Sequence, residues 1–204
     1  MDRADMERAK EILEFWFGAS TDRWSVPDDR MKTWFGGGPA VDDEIRRRFG
    51  ADVDRAVAGG YADWKETPRG RLALVLLLDQ FTRNAHRGTP AAFSGDPRAL
   101  SLAIEALETG VDRELRPVER PFLYLPLEHA EDARAQAASV DAFRRLAGEA
   151  PAGSRAPYDA FLEYAIRHQV IVDRFGRFPH RNAILGRQTT PEEAEFLKEP
   201  GSSF

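Results

Sequence analysis

Apolar residues in this chain recur mostly at three- and four-residue spacing, and hardly any segment alternates with the two-residue period of a half-buried strand. Prolines and glycines fall at the ends of the periodic segments, as expected where helices start and stop. The pattern predicts an all-α chain. A first helix is expected over about Asp5 to Phe17, with Ile12, Leu13, Trp16 and Phe17 on its apolar face and Gly18 as a left-handed cap. A loop and a short turn around Asp28 to Phe35 lead to "GGGP", which breaks the chain. Pro39 then suits the first turn of a helix reaching about Ala58.

Thr67-Pro68 supplies an N-cap and a first helical position for a central helix to about His86, about 28 Å long at 1.5 Å per residue. Asp96-Pro97 repeats that signal for a helix to about Thr109. Pro117 is read as the start of a further helix through "PVERPFLYLPLEH", bent or interrupted by Pro121 and Pro126. From about Glu131 to Ala147, Ala135, Ala138, Ser139 and Ala142 make a small-residue face, extended by Leu146, that lets a neighbouring helix come close. After the loop "GEAPAGSRAP", helix resumes from about Tyr158 to Phe175. "TPEEAEFL" closes the series with a capping box on Thr190 and Glu193. Helix pairs joined by short loops predict antiparallel hairpins stacked side by side, in a tetratricopeptide-like or irregular α-α bundle.

Composition narrows what such a fold can do. The chain has 204 residues, 42% of them hydrophobic and 31% charged. That size suits one domain over 1–204, burying about 70% of its unfolded surface. No apolar run reaches the roughly 18 residues that span a bilayer, and the N-terminus mixes charge with apolar residues unlike a signal peptide, so no membrane role is expected. Cysteine is absent. This excludes disulfides, thiolate ligands and thiol nucleophiles, and it fits a cytoplasmic setting. The net charge of −5 argues against a nucleic-acid partner. No phosphate-binding glycine loop and no nucleophile elbow is present, so neither a nucleotide nor any other cofactor is expected.

Three stretches concentrate the chemistry. In the first, Leu72 to Leu78 are all apolar, which encloses the central helix and makes Asp79 a core residue. Leu72, Leu76, Asp79 and Arg83 share one line of the helix; Ala73, Leu77, Gln80 and Asn84 share the next. A buried carboxylate needs a partner, and Arg83 stands at i+4 in the favoured order. In the second, "LPLEHAED", Glu128 and Asp132 fall one turn apart if the helix continues past Pro126, with His129 to one side. Two carboxylates and an imidazole suit a hard metal or an acid-base pair, but no His-Glu-x-x-His spacing is present, so capping and salt bridges are expected and no metal. In the third, "VDRFGRFPHRNAILGR", Arg174, Arg177, His180, Arg181 and Asn182 crowd a turn between helices. Arginine forks hold carboxylates and phosphates bidentately, which makes this the best anion site in the chain. His168, on an apolar helix face, is read as a hydrogen-bonded core histidine.

"DQFTRNAHRGTPAAFSGDPRAL", "FLYLPLEHAED" and "RFGRFPHRNAILGR" together resemble the bacterial family of domain of unknown function 924, whose members are similar to tetratricopeptide-type helical proteins. The resemblance runs from "EILEFWFG" at Glu11 to "TPEEAEFL". Thr82 stands where the family usually has proline and His86 where it has an aromatic, so His86 takes no role from it. The resemblance implies a helical fold and no reaction.

The favoured reading is a binding module whose charged groove takes a small anion or an acidic peptide terminus. The alternative is a small hydrolase with His129 or His180 as base, Asp79 or Glu128 orienting it, and arginines holding an anionic substrate. In both, the three stretches are expected to converge into one network, and oligomeric state stays open.

Overall fold

The computed structural model describes residues 2–26, 28–36 and 38–203. Among them there is no strand, and the all-α expectation holds. Helix α1 (Arg3–Phe17) begins with the Asp2 side chain accepting from the Asp5 amide and ends at Gly18, φ 73°. The region expected as a short turn is a helix, α2 (Asp28–Gly36), held where Trp34 Nε1 donates to the Trp16 carbonyl, 2.9 Å. The break expected at Gly37 lies outside the described residues. Helix α3 (Gly38–Val57) buries Ile45, Phe49, Val53 and Ala56, one stripe at helical spacing.

The central helix starts as read, with Pro68 in its first turn and Thr67 accepting from the Gly70 amide. Its interior differs from the expectation of one regular helix. Helix α4 (Pro68–Leu76) passes into a π-helical turn, Leu77–Phe81, and then into α5 (Thr82–Ala85). The wider turn disturbs the regular backbone pairing, and the Thr82 hydroxyl donates to the Leu77 carbonyl at 2.7 Å. Such bulges often mark functional positions, and this one carries Asp79. The α4 segment packs against α1, while α3 covers the π turn and α5.

Helix α6 (Asp96–Thr109) also packs on the central helix. Its cap is Gly95 rather than Asp96, and Gly95 sits so close to the central helix that a Cβ there would lie 2.1 Å from the Leu78 carbonyl oxygen. The Asp96 side chain reaches Arg83 on α5. Helix α7 (Arg120–Glu128) starts three residues later than Pro117, with Pro121 in its first turn and Pro126 inside it. Helices α8 (Ala133–Glu149) and α9 (Arg155–Phe175) form a closely packed hairpin, with Ala135, Ser139, Ala142 and Leu146 buried. Helix α10 (Pro191–Phe196) carries the expected Thr190–Glu193 capping box. No helix among the described residues is long and apolar enough to cross a membrane.

Candidate functional site

The polar end of the central helix is buried, and its charges are matched. Asp79 is 1% exposed. Its Oδ1 lies 2.9 Å from Arg83 Nη1 and 2.7 Å from His129 Nδ1, and its Oδ2 accepts from Gln80 Nε2 at 2.6 Å. Burial pushes the carboxyl upward. The Arg83 charge and the His129 contact outweigh that and hold it well below the ordinary range.

Arg83 does more than pair with Asp79. Its Nη1 and Nη2 donate to Asp96 Oδ1 and Oδ2 at 2.8 and 3.0 Å, a two-pronged grip. Asp96 in turn lies 3.9 Å from Nη1 of Arg181. Arg181 donates from the same nitrogen to the His129 carbonyl at 2.9 Å and is sandwiched by Phe93 and Phe178. Its Nε is buried without a hydrogen-bond partner among the described residues. Burial, then the neighbouring Arg83 charge, pushes its pKa down to about 10.

A second pair lies on the other side of His129. Glu128 is 3% exposed, and its Oε1 is 3.2 Å from Nδ1 of His168, which also reaches the Tyr164 carbonyl at 2.9 Å. Among the described residues no guanidinium pairs with Glu128. Burial, then the Asp79 charge, pushes its carboxyl up to about 8. Burial drives both imidazoles towards the neutral form, His168 down to about 3. Gln136 Nε2 donates to the Glu128 and Ala130 carbonyls at 2.6 and 2.8 Å, which fixes the turn after α7.

The three sequence motifs therefore meet, but through a subset of the expected residues. Asp79, Gln80, Arg83, Glu128, His129 and Arg181 come together. Glu131 adds a second tie between two of the motifs, accepting from both Nη groups of Arg187 at 2.5 and 2.9 Å and from the Phe178 amide at 2.8 Å. Asp132 does not stand one helical turn from Glu128, because the helix ends between them. Asp132 caps α8 instead, accepting from the Ala135 amide at 2.8 Å. Asn84 turns away to Asp42 on α3, 2.7 Å.

Arg174 and Arg177, expected as anion forks, are spent on α10. Arg174 Nη2 is 3.0 Å from Glu192, and Arg177 grips Glu193 at 2.6 and 2.9 Å. Asn182 is buried and joins them through Glu193 and Arg187. His180 lies against Phe178, with ring centroids 5.7 Å apart and the rings tilted by 39°, and burial lowers it to about 4. Two members of the cluster were not among the expected site residues. Asp96 carried only a helix-start signal. His168 was read as a core histidine and is one, buried and hydrogen-bonded, yet it faces Glu128. Its apolar helix face could not show that.

Comparison with known proteins agrees with this chain's own features. Residues 12–201 match the model of a family described as "Bacterial protein of unknown function (DUF924)". A solved structure described as a protein of unknown function, ATU0120, from Agrobacterium tumefaciens is similar at 38% identity and a TM-score of 0.78, over 95% of this chain and 98% of that one. None of the curated proteins matches.

Proposed function

We propose, for a chain that belongs to the DUF924 family, that the cluster around Arg181 binds a small anion: a phosphate, a free carboxylate or the acidic end of a peptide. One observation carries this reading. Arg181 is buried, its Nε has no hydrogen-bond partner among the described residues, and the carboxylate that comes within 4 Å of it there, Asp96 at 3.9 Å, is already gripped by Arg83. A guanidinium so placed has donors to spare. Asp96 supports the reading, since it sets a carboxylate between two guanidinium groups. Exposure rises towards it, 24% for Asp96 and 18% for Arg83, which marks the side from which a ligand would enter.

A second reading, a small hydrolase, draws support from the 2.7 Å contact of Asp79 with His129 Nδ1. A carboxylate so placed fixes the imidazole's orientation and tautomer, which a general base requires. A stacked, repeat-like arrangement of helix pairs goes with this function. It is supported by α7–α8 and α8–α9, which pack as successive pairs, although the enclosed central helix suits an irregular bundle. A cytoplasmic setting goes with it on the strength of composition.

The test is titration of phosphate and of acetate while thermal stability is followed. Arg181→Met should abolish the stabilisation, Asp96→Asn should strengthen it by removing the internal competitor, and Arg177→Ala should leave it unchanged. Equal responses in all four proteins would end the reading. For the hydrolase, a panel of phosphate and carboxylic esters should show turnover that Asp79→Asn lowers in kcat; no turnover of any member would remove it.

A further inference from the structure

Glu128, His129 and His168 each offer one ligand atom, and those atoms all lie within 4.8 Å of one another. We infer that these three residues form a binding site for a divalent transition-metal ion of the zinc class, with Asp79 as its positioning residue. The inference is independent of the anion reading: it uses different donors on the other side of the His129 ring.

The donor set comes first. Two imidazoles and a carboxylate are the ligands of many zinc sites, and other first-row divalent ions accept them too. With no cysteine in the chain, nitrogen and oxygen are the donors available.

Spacing comes next. Three points no more than 4.8 Å apart fit inside a circle of radius about 2.8 Å, so an ion at its centre needs each donor to move inward by at most about 0.6–0.8 Å to reach bonds of about 2.0–2.2 Å. Small side-chain rotations supply that. Glu128 Oε1 already lies against the His168 ring, 3.2 Å from its Nδ1.

The surroundings resemble the outer shell of a metal site. Metal-bound histidines almost always hand their other ring nitrogen to a carboxylate or a backbone carbonyl, which sets tautomer and ring angle. Here His129 Nδ1 is held by Asp79 at 2.7 Å, which leaves Nε2 as the nitrogen His129 would present. His168 Nδ1 reaches the Tyr164 carbonyl at 2.9 Å. Asp79 is itself fixed by Arg83 and Gln80, and Gln136 pins the turn that carries Glu128 and His129. Glu128 ends α7, where the negative end of the helix dipole favours a cation.

The competing account is a purely structural Glu128–His168 pair, and the experiment decides between them. The purified full-length protein, stripped with chelator and dialysed, is titrated with Zn²⁺ by calorimetry, with Co²⁺ by visible absorption, and with Mg²⁺ as a hard-ion control. One equivalent of Zn²⁺ should bind, with a cobalt spectrum more intense than that of the aqueous ion and no response to Mg²⁺. Glu128→Gln and His168→Gln should each weaken Zn²⁺ at least 10-fold, and Asp79→Asn should weaken it by about 10- to 100-fold, the usual loss on removing such an outer partner. Circular dichroism checks each fold, and if a variant does not fold, the stoichiometry and cobalt spectrum of the parent decide alone. A parent that takes up no ion, or a folded Glu128→Gln that binds Zn²⁺ as tightly as the parent, would overturn the site. Arg181→Met should keep its equivalent of Zn²⁺ while losing the phosphate response, so failure of one reading leaves the other measurable.

Discussion

Replacing Asp79 with asparagine removes one negative charge from the centre of the cluster and changes little else. Asp79 accepts twice on Oδ1, from Arg83 and His129, and once on Oδ2, from Gln80. An asparagine can keep its oxygen towards Arg83 and His129 and turn its amide towards Gln80, whose own amide can flip to accept. The hydrogen-bond count survives, and the loss is electrostatic. Charge-assisted hydrogen bonds are worth about 1.5–3 kcal/mol and neutral ones about 0.5–1.5, so downgrading two of them costs about 2 kcal/mol. Relief from burying a carboxylate offsets part of this, but only part, because Asp79 is held below its ordinary value in spite of burial. Arg83 keeps Asp96, which limits the cost further than if it were left alone.

Urea denaturation at pH 7 is the assay. With a slope of about 2 kcal/mol per molar, the midpoint should fall by about 1 M. The sign with pH is fixed by linkage. A carboxyl depressed on folding contributes stability that is present above its unfolded value near 4 and is lost as pH falls through its folded value. The difference between parent and variant should therefore shrink as pH falls below 4. A cost under about 0.5 kcal/mol at pH 7, or a difference that does not shrink in acid, would refute this account of Asp79.

Glu128→Gln should act in the opposite sense: burial raises this carboxyl to about 8, so its contribution is present below about pH 4.5 and is lost as pH rises through 8. In the presence of chelator the parent should weaken across that range in denaturant titrations, and the glutamine variant should weaken less. Leu76→Ala should cost about 2–5 kcal/mol, because Leu76 is fully buried in the enclosed helix; a loss below about 1 kcal/mol would contradict that packing. Gly95→Ala should cost about 1–3 kcal/mol by forcing α6 away from the Leu78 carbonyl. It should also loosen the Asp96–Arg83 grip, seen as a weaker response to Arg83→Met in the alanine background than in the parent.

Much of the fold is written locally. Thr67-Pro68, Gly18 and the Thr190–Glu193 capping box mark helix ends because each satisfies or redirects backbone groups within a few residues of itself. The unbroken apolar run Leu72–Leu78 announces a helix enclosed by others before any neighbour is known. Asp79 with Arg83 is legible too, since four residues along a helix bring two side chains together whatever else surrounds them. The chemistry-bearing motifs were visible for the same reason, as polar residues adjoining segments too apolar to be exposed.

Which of those residues meet was decided by the tertiary structure. Nothing local tells Arg177 that Glu193 will be folded back onto it, or tells Arg181 that it will lie between two phenylalanines with a donor unspent. The π turn lies where α3 and α6 both contact the central helix, and the glycine that permits the approach of α6 is 17 residues from Leu78 in sequence. His168 and Glu128 stand 40 residues apart on separate helices, so their contact depends on how α7 packs against α8 and α9. Charge pairing across such distances is many-to-many in sequence: several arginines could satisfy several acids at similar Coulomb energy. Only the packed backbone, by fixing which side chains share a buried space, selects the partners and leaves Glu128 facing imidazoles instead of a guanidinium.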